Sequence, residues 1–545
     1  MRKILLVIMA LSLAFALASC TVSGGGGSNS EHKLTHVAFS DATCDKEGNI
    51  EHWTCSHCDK IFSDEKGESE ISLEDTVIAK KTHSIYLVEE KGATCAEEGN
   101  LEHYACENCE SLFTDSEGKN KIAREEIFIE TQPHLVVHRD AVLARGEVQG
   151  KVEHWQCEYC DAYFIDENGE KEVEESKIVT EAPYSLVDFY VEVPANRNPV
   201  ILQLTDTQII YGENARPGRQ GVSPAWNIEH KNIRCYDYLT EIINAVKPDL
   251  IILTGDIVYG EFDDTGVALR DFVEFMETFD IPWAPIFGNH ENESKMGADW
   301  QCAQFESAEN CLFMQRELTG NGNYSVGIAQ DGYITRTFYM LDSNGCSAAS
   351  QETLQNGHTQ TKAGFAIDQI RWYSRSIEAL KKSAPDVKIS FAYHIPQATF
   401  VTAYEKYGFT VGTLTTAINI DTHPNKADTD FGQLIRSFYP EWDTNNKIFN
   451  DMVELGVDSI FVGHEHCLSA SVVYQGVRFQ FGQKSSEYDR FPMMRSNGSL
   501  IGEYNLQNGA TPLIGGSVIP LDENGEIVNP YIYYCGDVFG TNPKA

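Results

Sequence analysis

Hydrophobic and polar positions give the two parts of the chain different patterns. From about Tyr184 onward, short apolar runs rich in β-branched residues alternate with stretches of helical periodicity. One helix is predicted between the first two runs, and Lys247-Pro248-Asp249 ends it. Its apolar side chains recur at Ile233, Tyr236, Leu239, Ile242, Ile243 and Val246. This alternation predicts an α/β domain over residues 184–545.

Five of the apolar runs lead directly into side chains that bind metals. Strands are predicted at 200–204, 250–253, 283–287, 388–393 and 459–462. The side chains that follow them are Asp206, Asp256, Asn289, His394, and His464 with His466. Because open α/β sheets build their sites at the carboxyl ends of strands, we expect these side chains to converge on one sheet edge.

The preceding part of the chain is a threefold repeat with a period of 51 residues. The copies span 31–81, 82–132 and 133–183. Each copy has a histidine and a C-x-x-C pair, and the first two also have an intervening cysteine, Cys44 or Cys95. The third copy has Gly146 at that position.

Three cysteines and one histidine per repeat suit a structural zinc site, so we predict small β-rich, zinc-ribbon-like units. The predicted ligands are His32, Cys44, Cys55 and Cys58 in repeat 1, and His83, Cys95, Cys106 and Cys109 in repeat 2. His52 is an alternative to His32. In repeat 3, His138 or His154 could replace the missing cysteine, or the copy could fold without metal. Disulfides are the alternative chemistry, but three cysteines per intact copy would leave one thiol unpaired.

The first residues have the pattern of a secretion signal. Arg2 and Lys3 precede an apolar run over 4–18, which is too short for a comfortable membrane span. The run ends at Leu17-Ala-Ser-Cys20, which resembles a bacterial lipoprotein lipobox. The resemblance implies a signal peptide at 1–20, lipidation of Cys20, a Gly/Ser linker at 21–30 and a lipid-anchored, extracytoplasmic location in the cell envelope.

Composition narrows the function further. The 545 residues exceed what one core supports, and 81 acidic against 42 basic residues give a net charge of −39. Such a charge argues against binding a nucleic-acid scaffold. The segment 31–185 alone carries 36 acidic and 15 basic residues, so the repeats hold a disproportionate share of the acidity. The repeats therefore fit a solvated stalk, which could also bind a surface partner.

The order of ligands resembles the calcineurin-like metallophosphoesterase family. The matching motifs are Asp206, Gly255-Asp256, Gly288-Asn-His-Glu291, His394 and Gly463-His-Glu-His466. Flanking words such as Gly322-Asn-Tyr-Ser-Val326 and Tyr393-His-Ile-Pro396 resemble its purple acid phosphatase-related subgroup. The resemblance implies a four-layer α-β-β-α sandwich that binds two divalent or mixed-valence ions, such as Fe, Mn or Zn.

The same resemblance assigns roles to the ligands. Asp256 would bridge the two ions, with Asp206 and His466 on the first metal. Asn289, His394 and His464 would bind the second, and His290 would protonate the leaving oxygen.

One position departs from the family pattern. The family usually has histidine where this chain has Gln208. We favour binding of the first metal by the amide oxygen of Gln208. Tyr259 is the alternative ligand, because Gly255-Asp-Ile-Val-Tyr259 has the spacing that purple acid phosphatases use. The remaining alternative is that the first metal binds weakly.

These patterns predict a metal-dependent phosphoric ester hydrolase, with a small phosphomonoester as the favoured substrate. A phosphodiesterase acting on nucleotides or glycerophosphodiesters is the first alternative. A surface-binding protein with a degenerate phosphoesterase domain is the second.

Overall fold

The computed structural model describes residues 32–211, 231–346, 358–412, 416–436, 438, 440 and 442–543. Its internal contacts divide the chain into two compact units. The first unit comprises Met1–Val137 and Trp155–Glu172, and the second comprises His138–His154 and Val173–Ala545. The predicted signal peptide, Cys20 and the linker lie outside the described residues. In the part that is described, no helix has both the length and the apolar character needed to cross a bilayer.

Two mixed sheets build the second unit. Their strands, numbered in chain order, are β1 (Phe189–Glu192), β2 (Val200–Leu204), β3 (Leu250–Leu253), β4 (Trp283–Pro285), β5 (Tyr324–Gln330), β6 (Tyr333–Met340), β7 (Lys388–Ala392), β8 (Val457–Val462), β9 (Ser471–Tyr474), β10 (Val477–Phe481), β11 (Gly515–Pro520) and β12 (Tyr531–Tyr534). The larger sheet has the order β1-β5-β6-β7-β8-β10-β9, and the smaller has the order β4-β3-β2-β11-β12. Strands β2, β3 and β4 run parallel, as do β6, β7, β8 and β10.

Helices accompany both sheets. They are α1 (Lys231–Val246), α2 (Val267–Glu277), α3 (Ala298–Ser307), α4 (Ile367–Ser383), α5 (Thr399–Tyr404) and α6 (Lys447–Glu454). Helix α1 packs on β2 and β11 of the smaller sheet. Helix α4 packs on the larger sheet through Trp372, whose ring centroid lies 5.8 Å from that of Tyr339 on β6. The result is the expected α-β-β-α sandwich.

A buried polar contact joins the two sheets. Gln203 on β2 is fully buried and donates a 3.0 Å hydrogen bond to the carbonyl oxygen of Val462 at the end of β8. Gln480 on β10 donates to the Gln203 side-chain oxygen over 3.0 Å. Since a buried amide is costly unless it is hydrogen-bonded, these contacts specify how the strand ends of the two sheets meet.

Shorter elements complete the unit. Two-residue strands at Ile418–Asn419 and Gln433–Leu434 pair with each other, and Phe491–Arg495, Leu500–Glu503 and Ala510–Pro512 form a small sheet. The 3₁₀ turns are Pro183–Leu186, Gly260–Phe262, Glu291–Glu293, Glu405–Tyr407, Ile420–Thr422 and Cys535–Asp537.

The repeats are small antiparallel β-units, as predicted. Repeat 1 has strands Leu34–Val37, Gly48–Asn49, His52–Cys55, Ile61–Phe62, Glu70–Ile71 and Val77–Ile78, with a helical turn at Leu73–Thr76. Repeat 2 has Ile85–Val88, Gly99–Asn100, His103–Cys106, Leu112–Phe113, Lys121–Ile122 and Phe128–Ile129, with a turn at Arg124–Ile127. Repeat 3 has Val136–Arg139, Gly150–Lys151, His154–Cys157, Tyr163–Phe164, Glu172–Val173 and Val179–Thr180, with a 3₁₀ turn at Glu175–Lys177. One buried phenylalanine per copy, Phe62, Phe113 or Phe164, makes a core too small to stabilise a fold of this size alone.

Candidate metal centre

The predicted ligands lie where the parallel strands end. Asp206 follows β2 and Asp256 follows β3 of the smaller sheet, whereas the histidines follow β7 and β8 of the larger sheet. The expectation of a single sheet edge was wrong, because the strand ends of two sheets meet at the site. Asp206, Gln208, Asp256 and His464 all have positive φ angles, between 47° and 72°. Such backbone conformations are unfavourable for these residue types and concentrate at functional sites.

Two groups of ligand atoms share one carboxylate. Asp206, Asp256 and His466 form the first group, and Asp256, His394 and His464 form the second. Within each group, the ligand atoms lie within 4.8 Å of one another. Asn289 joins the second group, because its side-chain oxygen lies 2.8 Å from Nδ1 of His464 and 3.2 Å from Nε2 of His394. The structure therefore brings together six of the seven predicted ligands in two sets with Asp256 in common.

The donor set fits a pair of cations. Oδ1 of Asp206 is buried, no hydrogen bond satisfies it within the described residues, and it lies 3.2 Å from Nε2 of His466. Burial raises the pKa of the Asp206 carboxyl, but His466, His394 and Lys484 together hold the pKa below its usual value. An ionised, buried carboxylate oxygen beside imidazole nitrogens is the environment of a metal ligand.

Hydrogen bonds orient the imidazole ligands. Nδ1 of His394 donates to the carbonyl oxygen of Thr254 over 2.7 Å, which leaves Nε2 for the site. Nδ1 of His466 lies 3.1 Å from the Asp489 carboxylate. Such partners fix the tautomer and raise the basicity of a ligating histidine. Sequence reasoning missed Asp489, because it lies 23 residues beyond the ligand that it orients.

A buried carboxylate braces the two ligand loops. Glu291 is fully buried and accepts hydrogen bonds from the backbone amides of Gly288 (2.6 Å) and Asp256 (3.1 Å). A side chain at Gly288 would collide with Asp256, because a Cβ there would lie 2.2 Å from Oδ1. The motif residues Gly288 and Glu291 therefore hold the Asn289 loop against the bridging carboxylate.

His290 lies beside the metal groups and is held by an acidic partner. Its Nδ1 lies 2.7 Å from the Glu293 carboxylate, and its Nε2 lies 3.8 Å from Asp256. Burial lowers the pKa of His290, but the Asp256 and Glu293 carboxylates raise it to about 10. The ring of Tyr259 stacks on His290 with centroids 3.9 Å apart. Tyr259 is thus placed against the candidate proton donor.

Gln208 lies beside the first ligand group, and its side-chain oxygen contacts a lysine. The ammonium of Lys484 donates to the side-chain oxygen of Gln208 over 2.8 Å, and the Gln208 amide nitrogen lies 3.1 Å from Nε2 of His466. An ammonium group can only donate hydrogen bonds, so Lys484 contacts the amide oxygen of Gln208 and not its nitrogen. This oxygen is the atom that was expected to bind metal. A cation on the same oxygen would be repelled by Lys484. Binding of metal by Gln208 therefore stays a prediction, which the contact with Lys484 opposes.

The repeats also bring cysteines and histidines together, but not in the predicted sets. Cys44 of repeat 1 groups with His83, Cys106 and Cys109 of repeat 2, and Cys95 of repeat 2 groups with His134, Cys157 and Cys160 of repeat 3. His32, Cys55 and Cys58 form a group of three. The assignment of Cys44 and Cys95 to sites within their own repeats was wrong, because each packs against the next copy.

Three further predictions for the repeats can be compared with the structure. Nδ1 of His52 lies 2.8 Å from the carbonyl oxygen of Ile50, and His103 and His154 repeat this contact with Leu101 and Val152. His52, His103 and His154 therefore contact the backbone, whereas the groups of cysteines contain His32, His83 and His134.

The alternative of disulfides is not seen, since in the described residues the cysteines are all free thiols. Repeat 3 obtains its fourth group member from repeat 2 and not from His138 or His154.

Fold and site together define a metal-dependent hydrolase. Residues 199–468 match the family model of calcineurin-like phosphoesterases. This segment of the chain therefore belongs to the calcineurin-like phosphoesterase family, and it has homologues related to purple acid phosphatases.

Curated relatives and solved structures share only part of the sequence. A probable inactive purple acid phosphatase 29 of Arabidopsis thaliana is 25% identical over 305 residues, which cover 52% of this chain and 70% of the relative. Phosphatase DCR2 of Saccharomyces cerevisiae is 24% identical over 276 residues, which cover 49% of this chain and 44% of the relative. A structure of purple acid phosphatase PPD1 from yellow lupin (Lupinus luteus) seeds is 10% identical with a TM-score of 0.33, covering 80% of this chain and 81% of that one.

Proposed function

We propose that the chain is a two-metal phosphatase that hydrolyses small phosphomonoesters. The observation that carries the proposal is the position of Asp256, which belongs to both ligand groups at once. A carboxylate has two oxygens and a full negative charge, so it can bind two cations and hold them close together. The relative named as a phosphatase supports a phosphate ester as substrate.

The donor set suits Mn, Zn or Fe, because it combines imidazole nitrogens with carboxylate and amide oxygens. Two such ions supply Lewis acidity to phosphoryl oxygens and activate water at neutral pH. Asp206 and His466 would hold one ion, Asn289, His394 and His464 the other, and Asp256 both. Asn289 contributes a neutral oxygen, which leaves the second group positive enough to attract a phosphate.

His290 would deliver the proton to the leaving oxygen. Its Nδ1 is engaged by Glu293, so the ring presents Nε2 toward the bridging carboxylate. The Asp256 and Glu293 carboxylates raise the pKa of this imidazole, which favours its protonated form. A protonated imidazole at the site is the state that a general acid requires.

We also propose that the chain works outside the cytoplasm, attached to the cell envelope through a lipid on Cys20. The basis is the sequence of the first 20 residues, with their basic start, apolar run and terminal cysteine. The acidic repeats would then separate the phosphoesterase domain from the bilayer and could contact a surface partner.

Hydrolysis of p-nitrophenyl phosphate by the purified chain, with Mn, Zn, Fe or Co added, tests the activity. The expected result is metal-dependent hydrolysis that is lost in Asp256→Ala. Hydrolysis of bis-p-nitrophenyl phosphate without hydrolysis of the monoester would replace the phosphatase proposal with the phosphodiesterase alternative.

A degenerate, non-catalytic domain is the second candidate, and the contact between Lys484 and Gln208 favours it. A buried ammonium beside the first ligand group opposes binding of a cation there. The related plant protein is also named as probably inactive. This candidate would be supported if neither the parent chain nor Asp256→Ala hydrolysed either ester with any of the metals.

A further inference from the structure

We infer that the two Cys3His zinc sites of the repeat region are each shared between consecutive repeats, so that zinc fastens one copy to the next. The first cysteine of a repeat completes the site of the repeat that follows. Cys44 thus belongs with His83, Cys106 and Cys109, and Cys95 with His134, Cys157 and Cys160.

Distances in both groups match a tetrahedral zinc ion. Sγ of Cys44 lies 3.8 Å from Sγ of Cys106, and Sγ of Cys95 lies 3.5 Å from Sγ of Cys157. A Zn–S bond of about 2.3 Å in a tetrahedron places two sulfurs about 3.8 Å apart. These thiol pairs are therefore spaced as ligands of one ion.

The histidine of each group has the matching separation. Nδ1 of His83 lies 3.5 Å from Sγ of Cys109, and Nδ1 of His134 lies 3.3 Å from Sγ of Cys160. A zinc ion bound by one nitrogen and three sulfurs requires nitrogen-to-sulfur distances of about 3.5 Å. Both groups thus offer a complete Cys3His set, the usual composition of a closed structural site.

Another contact at the first junction supports the shared site. Asp45, next to Cys44, accepts hydrogen bonds from Lys121 (3.1 Å) and from the hydroxyl of Ser111 (3.3 Å), both in repeat 2. The loop that carries the first cysteine of repeat 1 is thus directed at repeat 2 by its neighbouring residue as well.

This arrangement explains why repeat 3 lacks its first cysteine. No fourth repeat follows, so a cysteine at position 146 would have no site to complete. The equivalent loop contacts the phosphoesterase domain instead. The backbone amide of Gly146 donates to the carbonyl oxygen of Gly332 over 2.7 Å, and Arg145 forms an ion pair with Asp331 at 2.7 Å. The same loop therefore contacts the next module in all three copies, through a cysteine in two of them and through Arg145 and Gly146 in the third.

Site-specific alkylation tests the inference on the full chain loaded with zinc. Iodoacetamide labelling of each cysteine is followed by mass spectrometry of peptides. Cys106→Ser is expected to speed the labelling of Cys44 at least tenfold and to leave Cys55 and Cys58 unchanged. The inference is overturned if Cys106→Ser leaves Cys44 protected, or if Cys55→Ser exposes it.

Zinc counting by native mass spectrometry gives a second readout that does not depend on reactivity. Cys44→Ser and Cys106→Ser should each lose one zinc, and the double variant should also lose only one. A loss of two in that double variant would assign the cysteines to separate sites and overturn the inference, as would an unchanged count. Phe113→Leu is the matched control, because it disturbs the same small core without removing a ligand, and it should retain the parent count.

Discussion

The ammonium of Lys484 and the side-chain oxygen of Gln208 lie 2.8 Å apart beside the first ligand group. Lys484 is also hydrogen-bonded to the carbonyl oxygen of Asp206 over 2.7 Å, and only 1% of its surface is exposed. A buried positive charge therefore lies next to a set of ligands that would receive a cation. We expect this contact to weaken metal binding at the first group relative to the second.

Removing that charge should strengthen metal binding at the first group. Lys484→Met keeps an unbranched side chain, one atom shorter, without the ammonium. We therefore expect Mn to bind there about tenfold more tightly or better, equivalent to roughly 1.4 kcal/mol. Isothermal titration of the metal-free chain measures both affinities. The second group should change less, and Lys382→Met on α4 is the control for loss of a lysine elsewhere. An unchanged first affinity would show that Lys484 does not oppose the metal.

Replacing His290 should have an effect that depends on the leaving group. An alkyl phosphate needs a proton on its departing oxygen, whereas p-nitrophenolate leaves readily without one. We expect His290→Gln to reduce kcat by about 10²–10⁴ for an alkyl phosphate and much less for p-nitrophenyl phosphate. Equal reductions for the two esters would contradict the role of His290 as proton donor.

Glu291 should be needed for both stability and metal affinity. Glu291→Ala would leave the buried amides of Asp256 and Gly288 without their acceptor, which costs about 1–3 kcal/mol for each group. We expect a lower melting temperature for the phosphoesterase transition and weaker binding at the second ligand group. Calorimetry and metal titration provide the measurements, with the exposed Glu523→Ala as control. Parent-like values for both would rule out the bracing role.

Asp263, four residues before α2, should make stability depend on pH. Burial raises the pKa of Asp263 from 3.8 to about 6, although the amides of Ala268 and Leu269 donate to it and act in the opposite direction. A raised carboxyl pKa favours the folded state below about pH 4, and this contribution is lost as pH rises through 6. The free energy of unfolding of Asp263→Asn minus that of the parent should therefore rise by up to about 3 kcal/mol from pH 4 to pH 7. Denaturant titrations of both proteins at pH 4 and pH 7 measure this difference. The same difference at both pH values would contradict the prediction.

The metal centre of the phosphoesterase domain could be predicted because its ligands follow apolar strands. Asp206, Asp256 and Asn289 follow strands of the smaller sheet and His394 follows a strand of the larger one, so the sequence predicted the ligands but not that two sheets supply them. Lys484 could not be predicted, since 276 residues separate it from Gln208 and no local pattern connects them.

Repetition explains why the sequence identified the clustered cysteines and histidines but not their grouping. Cys44 precedes Cys55 by 11 residues and Cys106 by 62, and the two separations differ by one period of 51. A periodic pattern looks the same for a site within one copy and for a site between neighbours. Only the packing of one copy on the next distinguishes these arrangements.

The role of Asp256 in both ligand groups is tested by one experiment. It measures metal content and activity together for the parent chain and for Asp256→Asn. Asp256 belongs to both ligand groups, so the account predicts about two phosphoesterase-domain metals per chain in the parent and loss of p-nitrophenyl phosphate hydrolysis in the variant, with affinity reduced at both groups. The repeat-region zinc should remain, which separates a local effect from unfolding. A variant that retains both metals and parent-like hydrolysis would contradict the claim.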